Sequence, residues 1–227
     1  MKMKIFVAHY TKLTDRKPHM IQQFAKHGIT DYEFVEVYDK EQIPNSDTSF
    51  VNLTPPKVSL MMKHFHIYKQ IADDHDVALI LEDDVILADN FVEKLDRYMS
   101  QVPSTFDMVF IGNGCNLHIE KSRLKPDVFI YEKCLHPTTW GGDGISRCTD
   151  SYIISKKCAI QLCKEMEKRK VKKISIAIDW WLNAVARPNQ FKGFWAEPTI
   201  VTQGSQIGMF QSVCTPIPKR KPIRFFR

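Results

Sequence analysis

Val77-Ala-Leu-Ile-Leu-Glu-Asp-Asp-Val85 is the stretch on which the fold turns. Its five leading apolar residues are far short of the about 20 that cross a bilayer. They read instead as a strand buried on both faces of a sheet. Three successive carboxylates follow at once: Glu82, Asp83 and Asp84. Like charges at the carboxyl end of a buried strand repel one another and lose their hydration, which is unfavourable unless a cation joins them. Ligands of open α/β sheets sit in the crevice at those strand ends, where a loop carboxylate holds Mg²⁺ or Mn²⁺ against a diphosphate. In extended geometry Glu82 and Asp84 share a face, and Asp83 points the other way, toward a ribose or a loop. Asp84 is therefore the first candidate metal ligand and Glu82 the second. The same residues also fit an acidic turn capping the next helix, or the carboxylates of a Mg²⁺-dependent phosphatase or nuclease.

Working outward, Lys4-Ile-Phe-Val-Ala8 is another buried strand, and a helix over 14–26 has Pro18 in its first turn and Gly28 just past its end. A strand over 33–38, a polar loop over 42–56 and a long helix over 58–74 lead back to the central strand. A helix over 90–100 and a strand over 106–111 follow it. This alternation predicts an α/β fold with a largely parallel, doubly covered sheet. The second half is less regular. It holds a hairpin-like stretch over 128–134, a glycine-rich loop Trp140-Gly-Gly-Asp-Gly144, a strand over 151–154, a helix over 156–169, a short helix containing Asp179 and a strand over 194–201.

The 227 residues, 44% of them hydrophobic with 14 Phe and 4 Trp, are enough for one sizeable core. One domain over 1–215 is expected, followed by a basic tail over 216–227. Part of the net charge of +6 is concentrated in that tail, at Lys219-Arg-Lys221 and Arg224-Phe-Phe-Arg227. It suits peripheral contact with anionic lipid or a plain solvated tail; nucleic acid is not the expected partner. The six cysteines show neither Cys-x-x-Cys spacing nor disulfide-scaffold density and read as reduced thiols. The N-terminus runs into polar residues too soon for a secretory signal, so a cytoplasmic protein is expected.

Ile176-Ala-Ile-Asp-Trp-Trp-Leu182 sets one carboxylate among bulky apolar groups. That surrounding raises a carboxyl pKa and makes Asp179 a candidate base near neutrality. Trp180 or Trp181 can stack on a sugar ring, and Asp143 in the glycine-rich loop can bind sugar hydroxyls. An N-cap Asp with core tryptophans, and a plain turn at 140–144, fit these residues equally. Arg16 and Lys63 are cations suited to donor phosphates. His64 and His66, two apart on a helix, face different ways and make a poor metal pair.

Taken in order, these segments resemble glycosyltransferase family 25, the group of bacterial lipooligosaccharide galactosyltransferases and collagen hydroxylysine galactosyltransferases. Val7-Ala-His-Tyr10 with Asp15-Arg16 is similar to the family's first strand and donor-side turn. Val35-Glu-Val-Tyr-Asp39 is similar to its second strand and acidic turn, and Ser59-Leu-Met-Met-Lys-His64 to its Ser-His helix. Leu79-Ile-Leu-Glu-Asp-Asp-Val85 resembles its central signature, Thr149-Asp-Ser-Tyr-Ile-Ile-Ser155 its Ala-Tyr segment, and Ile178-Asp-Trp-Trp-Leu182 its Pro-Val-Asp segment. The resemblance implies a GT-A type α/β/α sandwich with a mostly parallel central sheet and a Rossmann-like nucleotide-binding half. It further implies Mn²⁺ or Mg²⁺, a UDP-sugar donor and a glycan or glycoprotein acceptor. Galactose is the commonest donor sugar, with glucose, xylose and rhamnose also open. Val7, His9, Arg16, Lys63, Glu82 and Asp83 would lie around the donor, Asp84 and Glu82 on the metal, Asp179 at the reacting hydroxyl, and Trp180, Trp181 and Asp143 at the acceptor. Two features depart from the family: its Gly-Cys motif before the Ser-His pair is absent, and no His follows His136 to serve as a further metal ligand. A metal-dependent phosphohydrolase and an inactive glycan-binding module are the competing functions.

Overall fold

The computed structural model describes residues 3–44, 47–133 and 144–213. Trp140, Asp143 and the tail over 216–227 lie outside the described residues. The chain runs β1 (Lys4–Ala8), α1 (Arg16–Lys26), β2 (Tyr32–Val35), α2 (Pro55–Asp74), β3 (Val77–Glu82), β4 (Val85–Leu87), α3 (Phe91–Met99) and β5 (Met108–Phe110). It continues through β6 (Ile130–Lys133), β7 (Ser151–Ser155), α4 (Lys156–Glu167), α5 (Ile178–Ala186), β8 (Gly193–Ala196) and β9 (Val201–Gln203).

Seven strands form one sheet in the order β2-β1-β3-β7-β5-β8-β6. The strands β1, β2, β3, β5 and β8 share a direction, while β7 and the edge strand β6 run against them. Alternate side chains then serve opposite layers. Phe6, Ala78, Ile80, Met108, Phe110, Tyr152 and Ile154 pack with residues of α2, α4 and α5. Ile5, Val7, Leu79, Leu81, Val109, Ile111 and Ile153 pack with residues of α1 and α3. The result is a three-layer α/β/α sandwich whose central strands are buried on both faces.

Several local expectations are corrected. The second strand ends at Val35 rather than 38, because the chain turns and Tyr38 takes a left-handed φ of 64°. The helix expected at 58 begins at Pro55, since prolines are tolerated where helical N–H groups have no partner anyway. Among the described residues, 128–133 holds no hairpin of its own; β6 pairs with β8 far along the chain. The strand expected over 194–201 is two strands, β8 in the main sheet and β9 paired antiparallel with β4.

The antiparallel insertion of β7 positions the site. Because β7 runs against β3, it presents its amino end, not its carboxyl end, at the edge where Glu82 emerges. Leu81 lies opposite Ser151, and the Glu82 amide donates to the Asp150 carbonyl at 2.8 Å. The segment entering β7 is pinned by Arg147, whose side chain is wholly buried. Its guanidinium donates to Glu197 at 2.6 Å, to the Ala196 carbonyl at 2.9 Å and to the Leu117 carbonyl at 2.6 Å, and lies 4.8 Å from the Trp195 ring centroid. Arg147→Ala takes the guanidinium from buried Glu197 and leaves it only the Ile119 amide and His118 Nδ1, so a loss of about 3 kcal/mol is expected in urea unfolding. Arg147→Lys recovers only part of it, because an ammonium cannot reproduce the planar fork.

Candidate active site

A cleft of about 1450 Å³ opens at the carboxyl edge of the sheet. It gathers the ends of β1 and β3, the turn after β5, the entry to β7, the first turns of α2 and α5 and the loop after β9. This is where ligands of open α/β sheets bind.

The carboxylates after β3 go to separate partners. Asp83 is 4% exposed, and both its oxygens are spent on the protein. One oxygen meets Arg16 Nη1 at 2.6 Å; the other lies 2.7 Å from His9 Nδ1 and accepts from the Tyr10 amide at 3.2 Å. Asp83 thus ties α1 and the end of β1 to the end of β3. Glu82 accepts from the Thr149 hydroxyl at 2.8 Å. Asp84 receives the Ser205 amide on Oδ2 at 3.3 Å, and its carbonyl accepts from the Gly204 amide at 2.7 Å.

Asp84 and Asp150 share a feature that Asp83 lacks. Each is almost fully buried, and in each the Oδ1 atom has no hydrogen-bond partner among the described residues. Burial and the Asp84 charge push the Asp150 carboxyl up to about 7. Burial likewise raises Asp84, and burial with the neighbouring Asp84 and Asp150 charges raises Glu82 well above the carboxylate range. Orphaned anionic oxygens that repel one another are the chemistry a hard divalent cation satisfies, so the donor set fits Mn²⁺ or Mg²⁺. No three His, Cys, Asp or Glu side chains among the described residues form a ready-made cage. A cation held by one or two carboxylates and completed by substrate phosphate needs none.

Glycines shape the space around Asp150. A Cβ on Gly112 would collide with the Asp150 carboxylate and the Ser151 hydroxyl, and one on Gly114 would lie 2.8 Å from Asp150 Oδ1. Only hydrogen at these two positions lets the turn after β5 close on the carboxylate. On the far wall, the loop after β9 is drawn over Asp84 by Arg16, which donates to the Gln211 carbonyl at 2.7 Å and lies 5.4 Å from the Phe210 ring centroid.

Other sequence candidates are dispersed. Val7 is fully buried in the layer with α1 and α3, and the neighbouring Ala8 lines the cleft in its place. His9 is buried behind Asp83. Lys63 lines the cleft, but its ammonium meets Asp39 Oδ1 and the Val37 carbonyl, each at 2.7 Å, and the Val35 carbonyl at 3.4 Å. It therefore holds Asp39, and through it Thr11, beside the cleft. Asp179 is the second residue of α5, not its cap; Ala177 is the cap. The Asp179 side chain lines the cleft, and burial raises its pKa. Of the two tryptophans only Trp180, 48% exposed, lines the cleft; Trp181 packs edge-on against Phe65 at 5.0 Å in the core.

The family model described as "Glycosyltransferase family 25 (LPS biosynthesis protein)" matches residues 2–181, most of the chain. The chain belongs to glycosyltransferase family 25. A provisionally named glycosyltransferase of Acanthamoeba polyphaga mimivirus is 30% identical over 124 residues, covering 50% of this chain and 38% of the viral protein. This chain therefore spans well under half the length of that relative. Among solved structures, a mutant Drosophila β1,4-galactosyltransferase 7 with manganese, UDP-Gal and xylobiose is 11% identical, with a TM-score of 0.42 over 89% of this chain and 67% of that one. The galactosyltransferase LgtC with donor and acceptor sugar analogues is 10% identical, with a TM-score of 0.40 over 84% and 71%. Both structural likenesses are remote.

In this family 25 chain the carboxylate absent from the sequence-derived site is Asp150. Its sequence context, Thr149-Asp-Ser151, marks only the start of a strand. No local signal announces that the strand is antiparallel and delivers Asp150 to Asp84. Titration exposes the cluster. The folded chain keeps Asp150 protonated between the ordinary value of 3.8 and about 7, where the unfolded chain has released that proton. This favourable contribution is complete below 3.8 and is lost as pH rises through about 7. With metal chelated, the wild type should lose on the order of a few kcal/mol relative to Asp150→Asn between about pH 4 and pH 8, followed by urea unfolding. Added Mn²⁺ should restore the wild type and not the variant.

Proposed function

We propose that the cleft binds a UDP-sugar together with a divalent cation and transfers the sugar to a hydroxyl of a glycan or glycoprotein acceptor. The observation that carries this reading is the pair of buried Oδ1 atoms of Asp84 and Asp150, without a hydrogen-bond partner among the described residues, on the floor of the cleft at the strand ends where an α/β sheet takes a diphosphate. Membership of family 25 supplies the class of reaction. UDP-galactose is the first donor to test, from the family resemblance.

Asp84 and Asp150, assisted by Glu82, would hold the cation, which when bound offsets charge developing on the departing diphosphate. Asp83 acts differently. Saturated by Arg16, His9 and the Tyr10 amide, it fixes the backbone that aims Asp84. The first turns of α2 and α5 line the cleft.

Asp179 is the base. Its raised pKa makes it a better proton acceptor than an exposed carboxylate. As the acceptor oxygen bonds to the anomeric carbon, its proton passes to Asp179 and the bond from that carbon to the diphosphate oxygen breaks, releasing UDP with inversion. Trp180 offers an exposed aromatic surface beside Asp179 for the acceptor sugar.

Asp84→Ala removes a charge that already lacks half its partners, so thermal stability should change little. UDP release from UDP-galactose with acceptor and Mn²⁺ should fall by about a thousandfold, as when electrostatic stabilisation of a leaving group is lost. Full activity in that variant would overturn the assignment. Trp180→Ala should raise the acceptor KM by about tenfold, the size of a lost stacking contact, with the donor KM unchanged. Liberation of inorganic phosphate without sugar transfer would instead identify a phosphohydrolase.

A further inference from the structure

Two cysteines meet at the rim of the cleft. Cys115 stands in the turn after β5 and Cys148 in the segment entering β7, and their sulfurs lie 3.2 Å apart, close enough for a thiol–thiol hydrogen bond. Both residues line the cleft, and Cys115 is exposed. Each occupies the left-handed region, with φ of 52° at Cys115 and 64° at Cys148, a conformation unfavourable for a side-chain-bearing residue. The two turns are already in register, because Gly114 lies against Cys148 so closely that a Cβ there would be 2.5 Å from the Cys148 Cβ. The other described cysteines, buried Cys158 and half-buried Cys163, sit together on α4, away from this rim.

We infer that Cys115 and Cys148 form a thiol–disulfide modification site, oxidised by small disulfides such as oxidised glutathione, whose cross-link fastens the 112–116 turn to the strand entry that carries Asp150. Cys115, the exposed member, is the point of attack. Its thiolate displaces one glutathione thiolate from the oxidant and forms a mixed disulfide. Cys148, after losing its proton to solvent, attacks the Cys115 sulfur; the mixed disulfide breaks and a second glutathione leaves. Two electrons and two protons pass from the protein to the oxidant, which ends as two reduced glutathione molecules. The sulfurs approach from 3.2 Å to the bonded distance of about 2.0 Å, a closure small enough for side-chain and turn adjustment. The neighbouring Gly114, against Asp150 Oδ1, moves with the turn.

Trypsin separates the two cysteines after Arg147, so the test is direct. The reduced chain is treated with oxidised glutathione and mapped without reductant, and amide hydrogen exchange is compared in the reduced and oxidised forms. The expected result is one dominant cross-linked species joining the Cys115 and Cys148 peptides, two hydrogens lighter than their sum and released by dithiothreitol. Exchange at 112–116 should slow at least tenfold on oxidation. Cys115→Ser and Cys148→Ser should each abolish both effects; either one suffices if the other folds poorly. Cross-links distributed among other cysteines, an absence of cross-linking, or unchanged exchange at 112–116 in the cross-linked chain would overturn the inference. None of these readouts uses sugar transfer, so they stand apart from the proposed catalytic function.

Discussion

Arg16 and His9 close on Asp83 from the start of α1 and the end of β1, and that buried contact lets several carboxylates share one edge of the sheet. Without it, Asp83 would add a further unpaired carboxylate to the desolvated crevice that already holds Glu82, Asp84 and Asp150, a change costing several kcal/mol. The contact neutralises one carboxylate completely and leaves the others short of partners. Asp83 gives rigidity and Asp84 with Asp150 gives unspent charge. A tightly packed strand end supplies both at once because adjacent residues leave it in different directions.

The sheet topology sets which residues share that edge. In a wholly parallel sheet the amino end of every strand would lie on the opposite side from the cleft, and Asp150 would be remote from Asp84. The reversal of β7 between β3 and β5 brings Asp150 across from Glu82. Glycine at 112 and 114 then lets the turn after β5 approach the carboxylate. The small β4–β9 ribbon closes the other side by carrying Gly204 and Ser205 onto Asp84. Arg16, whose guanidinium reaches both Asp83 and the Gln211 carbonyl, connects these walls. A diphosphate in the cleft would meet surfaces whose rigidity is set by hydrogen bonds outside the reacting groups, which is how preorganised electrostatic sites operate.

Lys63 and Trp181 show how candidate residues chosen by type can be engaged by the protein itself. A lysine on this helix is chemically suited to phosphate, yet here its three acceptors are protein oxygens at and just after the end of β2. Tryptophans adjacent on a helix point about 100° apart, so one faces the cleft and the other the core. Trp180 and Trp181 divide in this way.

The amino-acid sequence by itself determined the α/β class, the burial of the 77–81 strand on both faces and the acidic cluster that follows it, because uninterrupted apolar runs and consecutive charges are local properties that any compact chain must accommodate. It also carried the family 25 resemblance, through motifs in a fixed order. Only the tertiary structure decided that Asp83 is spent internally, that Asp150 joins Asp84, that β4 and β9 form a ribbon and that Cys115 meets Cys148. Each of these joins segments distant in the chain and depends on strand direction or side-chain facing. A strand's local pattern is the same whether it runs parallel or antiparallel to its neighbours, so the residue delivered to the cleft is settled only when the sheet is assembled.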